Sequence, residues 1–108
     1  MDQLTEERIA RNQATFRDAN QRIVGAAGDI GVDPASVPFI CECARESCTD
    51  VLLIELPEYE AVRRNPRRFL HAPGHEDDTG KVVQVQAGYV VAEKTGRAGE
   101  VAEELADR

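Results

Sequence analysis

Three cysteines, Cys41, Cys43 and Cys48, lie within eight residues of the segment FICECARESCTD, and the chain contains no other cysteine. Residues two apart in an extended strand point to the same side, so Cys41 and Cys43 share one face. The residues that follow Cys43 form a turn that returns the sulfur of Cys48 to the same point. Three sulfurs at this spacing can reach one tetrahedral zinc ion with Zn–S bonds of about 2.3 Å. The pattern therefore predicts a zinc site that contains three thiolates.

A closed structural zinc site needs a fourth ligand, and the chain offers two histidines, His71 and His75. His75 follows Pro73-Gly74, a pair typical of a tight turn that presents the next side chain outward. His71 comes directly after an apolar pair and is the weaker candidate. We therefore expect four metal ligands: Cys41, Cys43, Cys48 and His75.

The acidic residues that follow His75 suit two different roles. In the structural site we expect Glu76, Asp77 and Asp78 to supply a carboxylate that orients the imidazole. If His75 does not ligate, the three thiolates leave an open position for water, and Glu76 becomes a possible general base of a zinc enzyme. Three thiolates donate much charge to zinc and make it a poor Lewis acid, so we favour the structural site.

Two metal-free interpretations of the cysteines also stand. Free cysteines are often small buried hydrophobic residues, and three neighbouring thiols also suit a redox protein. Polar neighbours are expected to keep the segment near water, which favours a metal site; they are Glu42, Arg45, Glu46, Ser47, Thr49 and Asp50. An iron–sulfur cluster is less favoured because four cysteines normally hold one. Oxidation of the site would pair Cys48 with Cys41 or Cys43.

The length of 108 residues predicts one small domain, residues 1–108, which would carry the zinc site. The formal net charge of −7 argues against a sequence-independent grip on nucleic acid, which needs a basic face. No apolar run approaches the ~20 residues of a membrane span, and the polar N-terminus does not resemble a secretory signal. An odd number of cysteines is also a poor disulfide framework. We therefore expect reduced thiols in a cytoplasmic protein that does not bind membranes.

Periodicity and turn residues predict an α+β fold in the order α-β-β-α-β-β-α. A long N-terminal helix covers residues 5 to about 28. VPFICEC and VLLIEL, residues 37–43 and 51–56, form a first antiparallel hairpin with the cysteines at its tip. Residues 57–65 form a short helix, with Tyr59 and Val62 facing inward, and Pro66 follows its end. Residues 66–80 are a loop anchored by Phe69 and Leu70, residues 81–94 a second hairpin, and the tail a possible C-terminal helix.

A narrow apolar stripe follows the long N-terminal helix. Ile9, Phe16 and Ile23 recur every seven residues, and Gln13 and Asn20 interrupt the same face. Such a stripe covers the edge of a sheet within the chain or pairs with a second copy. We favour packing within a monomer, with a homodimer as the alternative.

The segment RRNPRR places Arg63, Arg64, Arg67 and Arg68 around one proline. A guanidinium group can bind a phosphate or another anion through two parallel N–H donors, so the segment is a candidate anion patch. Cations also favour the C-terminal end of a helix, where they need no ligand. We favour this second interpretation, a solvated helix end.

The segment from PFICEC to PGHE resembles a family of short, uncharacterised bacterial proteins. Their shared pattern is PF-x-C-x-C-x4-C, then EYEAVR, then RFL-x-x-PGHE, and the resemblance covers most of the chain. It implies that the histidine of PGHE, here His75, belongs to the site, and it implies no activity. The sequence as a whole predicts a zinc-binding protein that interacts with or regulates another protein and responds to oxidants.

Overall fold

The computed structural model confirms the α+β fold and its order of helices and hairpins. It describes residues 3–27, 29, 31, 33–43, 45, 47–75 and 77–106. The elements are α1 (Gln3–Ala27), β1 (Val37–Ile40), β2 (Val51–Ile54), α2 (Leu56–Arg63), β3 (Arg68–His71), β4 (Gly80–Gln86), β5 (Tyr89–Lys94) and α3 (Gly96–Ala106). Within the described ranges, no helix combines the length and apolar character needed to cross a bilayer.

The strands form two separate antiparallel sheets. β1 and β2 make the first, with Phe39 opposite Leu52. The second has three strands in the order β3-β5-β4, so the hairpin of β4 and β5 gains a further strand. The expectation of a loop over residues 66–80 is therefore wrong at β3. Strand β5 is buried along most of its length and needs a neighbour on each side, and β3 supplies one through the buried Phe69 and Leu70.

The first hairpin is shorter than expected because the chain changes partner after β1. The strand ends at Ile40, although the N–H of Cys41 still donates to the carbonyl of Asp50 at 3.0 Å. The N–H of Glu42 then donates to the carbonyl of Leu70, a residue of β3, at 2.7 Å. This segment therefore joins the first sheet to the second.

Helix α1 packs within the chain, and several polar side chains lie on its buried face. Asn20 is fully buried, and its amide bonds both the N–H and the carbonyl of Ile40 at 2.8 Å, which completes the outer edge of β1. Arg17, also buried, donates to the carbonyls of Pro66 and Ala102. The expected stripe residues Ile9, Phe16 and Ile23 are only half-buried. Unsatisfied backbone groups of neighbouring elements thus select the buried face of α1 as much as its apolar residues do.

Helices α1 and α3, from opposite ends of the chain, pack against each other. Ala10 of α1 lies in a buried cluster with Ala98 and Val101 of α3. An ion pair between Arg97 and Glu7, at 2.8 Å, adds to this contact. The C-terminal helix that the sequence allowed is therefore formed and holds the start of α1.

The main core lies between the first sheet, α2 and the second sheet. Tyr59 and Val62 face inward, as expected, and the ring of Tyr59 stacks on Phe39 with 4.1 Å between ring centroids. The buried surfaces of Cys41 and Cys43 belong to the same core. The cysteines are thus anchored by packing on the apolar side of the first hairpin.

Glu42, expected to keep the cysteine segment near water, is fully buried, so that expectation is wrong. Its carboxylate accepts hydrogen bonds from the side-chain amide of Asn20 and the N–H of Leu70, both at 2.9 Å, and from the hydroxyl of Tyr59. The guanidinium of Arg63 lies 3.6 Å away and supplies a compensating charge. A buried carboxylate is tolerated because each lone pair has a donor or a cation beside it.

The arginines of RRNPRR mostly contact carboxylates of the chain. The side chain of Arg63 is only 10 % exposed, so the expectation of a solvated helix end is wrong for this residue. Arg67 pairs with Glu103 at 2.5 Å and Arg68 with Glu93 at 3.1 Å. Arg67 and Arg68 thus link the start of β3 to α3 and β5.

Glu42→Gln is expected to lower the free energy of unfolding by about 2–4 kcal/mol. The NH₂ group of the new side chain is itself a donor, and in the core it would face the donors that now bond the carboxylate. Urea denaturation measures this change. Glu60→Gln, an exposed change of the same type on α2, is the control and is expected to leave stability nearly unchanged. Equal stabilities of the two variants would contradict a supporting role for the buried carboxylate.

Candidate metal centre

The structure brings together four metal-ligating side chains: Cys41, Cys43, Cys48 and His75. Their ligand atoms all lie within 4.8 Å of one another. The Nδ1 atom of His75 is 3.6 Å from the sulfur of Cys41 and 3.6 Å from that of Cys48. A tetrahedral ion with Zn–S bonds of about 2.3 Å and a Zn–N bond of about 2.0–2.1 Å needs about 3.5 Å between sulfur and nitrogen. The donor set and these spacings fit a single metal ion.

Two turns bring the sulfurs and the imidazole to one point. In the cysteine segment, the N–H of Cys48 donates to the carbonyl of Arg45 at 3.0 Å. In the histidine segment, the N–H of His75 donates to the carbonyl of Ala72 at 3.1 Å, and Gly74 has a φ of 86°. Proline followed by a glycine with positive φ is the pattern of a type II turn. The turn expected from Pro73-Gly74 is therefore present and directs His75 to the sulfurs.

Burial favours the protonated form of the two inner thiols when no metal is bound. It raises the pKa of Cys41, and a hydrogen bond of 3.2 Å from the N–H of Ala72 to its sulfur opposes this shift. Burial likewise raises the pKa of Cys43, against a hydrogen bond from the backbone of Arg45. A metal ion must displace these protons, so acid competes with metal at this site.

Asp50 occupies the position of an orienting carboxylate for His75. Its Oδ2 atom lies 3.5 Å from Nε2, the ring nitrogen that faces away from the sulfurs. A carboxylate at this place fixes the ring and leaves Nδ1 as the ligating atom. We expected this group among residues 76–78; Glu76 lies outside the described residues, and the expectation is wrong for Asp77, which turns inward. The hairpin register was the available signal, since it sets Asp50 opposite Cys41.

Asp77 instead anchors the histidine segment to the second sheet and to α1. Its carboxylate accepts hydrogen bonds from Lys94 at 3.1 Å and from the N–H of Thr79 at 2.8 Å. Gln13 of α1 donates to it at 3.2 Å. Burial lowers the pKa of Lys94, and the charge of Asp77 opposes that change. No local pattern marked Lys94 or Gln13, because their roles arise only when β5 and α1 meet this segment.

The burial of the four ligands is that of a closed site. Cys41 and Cys43 are buried, Cys48 is half-buried, and the side chain of His75 is 17 % exposed. His71, the other histidine, is fully buried in β3 and does not belong to the cluster. The ligand atoms of the four residues lie within 4.8 Å of one another. This arrangement can hold a metal ion without a water ligand.

His75→Ala is expected to reduce metal retention strongly, because it removes the only nitrogen donor of the cluster. Metal content per folded protein, measured after dialysis against a weak chelator, gives the result. His71→Ala is the comparison: it removes a buried ring and lowers stability, and it is expected to leave metal content nearly intact. The opposite ranking would show that the wrong histidine has been assigned.

Asp50→Asn is expected to weaken metal binding about tenfold, since a neutral amide orients the ring of His75 less well than a carboxylate. Competition titration with a chromophoric chelator measures this affinity. Asp78→Asn is the matched control, because Asp78 is exposed and is the other acidic candidate for the same role. A larger effect at Asp78 would contradict the assignment of Asp50.

Comparisons with known proteins supply no relative from which a function can be transferred. Neither protein-family models, nor curated proteins, nor solved structures give a match to the chain. The resemblance seen in the sequence motifs therefore stays a prediction. The chemistry of this chain is argued from its own donor atoms and their surroundings, which form a cluster of three cysteines and one histidine able to hold a metal ion.

Proposed function

We propose that the chain is a small cytoplasmic zinc-binding protein whose metal is structural and whose role is to bind or regulate another protein. One observation carries the zinc site: donors from two segments separated by 27–34 residues converge on a space of tetrahedral size. Such convergence needs two independent turns with the correct geometry. The site thus has the features of a metal clip between the first hairpin and the segment that joins β3 to β4.

The donor set favours zinc over calcium, magnesium and an iron–sulfur cluster. Calcium and magnesium prefer oxygen ligands, and all four groups of this cluster offer sulfur or nitrogen. Iron–sulfur clusters are normally held by four cysteines, and the chain has three. Zinc binds tetrahedrally to three thiolates and one imidazole in structural sites.

Local structure supports a structural role for the metal. Residues 41–50 and 72–79, which carry the ligands, contain no helix or strand among their described positions. Segments without regular hydrogen bonding depend on other contacts for their order. A zinc ion bound by both segments supplies such contacts and fixes them to the core.

Catalytic zinc is the rival function, and the geometry favours it less. The Nδ1 atom of His75 takes the position that a catalytic site keeps for water. Two surface cavities, of about 500 Å³ and 370 Å³, are lined by residues of α1 with α3 and of α1 with α2, and neither includes a metal ligand. Neither cavity could therefore hold a substrate against a metal bound by the cluster.

A response to oxidants is a second candidate function, favoured by the position of Cys48. Its sulfur is half-buried, and the other two sulfurs lie within 4.8 Å. Peroxide would take two electrons from two thiolates to form one disulfide, would itself be reduced to water, and would release the zinc. Oxidation would then open the clip, which makes the same site a possible point of regulation.

Protein purified without chelator is expected to contain about one zinc per chain, and removal of the metal is expected to loosen only the two ligand segments. Amide hydrogen exchange with and without chelator measures this. We expect loss of protection around residues 39–50 and 70–80, with α1 and β5 largely retained, since β5 also pairs with a strand on each side and α1 also packs on α3.

The matched pair for this experiment is Cys48→Ser and Ser47→Ala. The first removes a ligand and is expected to reproduce the effect of chelator, whereas the second changes an exposed neighbour and is expected to keep the metal. Metal-free protein with three titratable thiols would sink the zinc assignment. Metal-loaded protein with unchanged protection after chelation would remove the structural role.

A further inference from the structure

The outer face of the first sheet is apolar and exposed. Its inner face, which includes Phe39 and Leu52, is buried in the core. On the outer face, Val51 is 57 % and Leu53 68 % exposed, and both lie beside residues of β1 that are also apolar. Register places Pro38 opposite Leu53 and Ile40 opposite Val51. These four residues form one continuous apolar surface.

The same two residues of β2 carry backbone groups that point away from β1. The hydrogen bond from Cys41 to Asp50 fixes which residues pair, and alternation along the ladder turns the N–H and C=O groups of Val51 and Leu53 outward. On the opposite edge, Asn20 bonds the equivalent groups of Ile40. Among the described residues, no group bonds the outward backbone of Val51 or Leu53. The sheet therefore has one closed edge and one open edge.

Acidic residues stand at both ends of the open edge. Asp50 precedes β2 with a side chain 55 % exposed, and Glu55 follows it and is also exposed. Antiparallel pairing of two copies through β2 would bring Asp50 of each next to Glu55 of the other, which like charges disfavour. The net charge of −7 adds to this repulsion. The charges thus disfavour a second copy and suit a basic partner.

We propose that β2 is a docking edge for an extended segment of another protein, with alternating apolar side chains and a basic residue near each end. The segment adds a strand beside β2, its backbone bonds the outward groups of Val51 and Leu53, and its cations face Asp50 and Glu55. This inference rests on the proposed function, for which it names the surface and the chemistry of the partner.

The metal centre and the docking edge share Asp50. Its carbonyl accepts from the N–H of Cys41, and its carboxylate lies beside His75. The start of β2 is thus held by the same segment that holds the metal. Removal of zinc disorders that segment, so docking depends on the metal.

The test uses zinc-loaded full-length protein and a short synthetic peptide in which valine and threonine alternate between two terminal lysines. Peptide is added to millimolar concentration, and backbone amide shifts are followed by NMR. We expect saturable shifts at Val51 and Leu53, and about tenfold weaker binding by the same peptide with glutamates at its ends. Leu53→Ser is expected to weaken binding about tenfold, since it removes an apolar contact that the bound peptide would bury.

Val85→Ser is the matched control. Val85 is 72 % exposed on β4, one of the two edge strands of the other sheet, so the same type of change is made away from β2. Equal effects of the two variants, shifts centred on β4, or no saturable shift at β2 would overturn the docking edge. Concentration-dependent shifts at β2 without peptide would also overturn it, in favour of a second copy.

Zinc content is measured on each sample, so the two proposals fail separately. Zinc-loaded protein that ignores the peptide contradicts the docking edge and leaves the metal clip standing. Protein that binds no zinc contradicts the clip, and binding of the peptide to such protein would also contradict the dependence of docking on metal.

Discussion

The carboxylate of Glu42 is the contact on which the arrangement of the whole molecule depends. It lies between two metal ligands in the sequence, yet its side chain points to the opposite side and bonds Asn20 of α1, Tyr59 of α2 and the N–H of Leu70 in β3. Its own N–H returns a bond to Leu70. One residue therefore fixes the cysteine segment against three elements. The sulfurs of Cys41 and Cys43, on the side opposite the Glu42 carboxylate, are positioned by the same contacts.

Both segments that carry the cluster have an anchor elsewhere in the fold. The cysteine segment is held by the core, and the histidine segment is held by the ion pair of Asp77 with Lys94 and by a tight turn. Each segment is anchored away from the cluster, so a bound ion would join two loops that each have one other support. A preorganised site of this kind loses less conformational entropy when it binds metal than four ligands on a free chain would lose.

Local chemistry made the clustering of the three cysteines with His75 predictable, because spacing and turn residues act within a few positions of the chain. The same holds for the turn before His75 and for the inward side of α2. The burial of Glu42 was not predictable, since its donors come from Asn20, Tyr59 and Leu70, which are distant in the sequence. Strand β3 was missed for a similar reason: its four residues become a strand only because β5 needs a neighbour on its second side.

The contact between α1 and α3 has a consequence for the order of folding during synthesis. Arg17 bonds the carbonyl of Ala102, 85 residues later in the sequence, and Glu7 pairs with Arg97, 90 residues later, so the first helix packs on residues that are synthesised long after it. All four metal ligands leave the ribosome before α3 does. Contacts that span most of a chain close late, because the polymer must first bring its two ends together. Helix α1 therefore completes its packing only after α3 has been synthesised, when the three cysteines and His75 have already been available to one another.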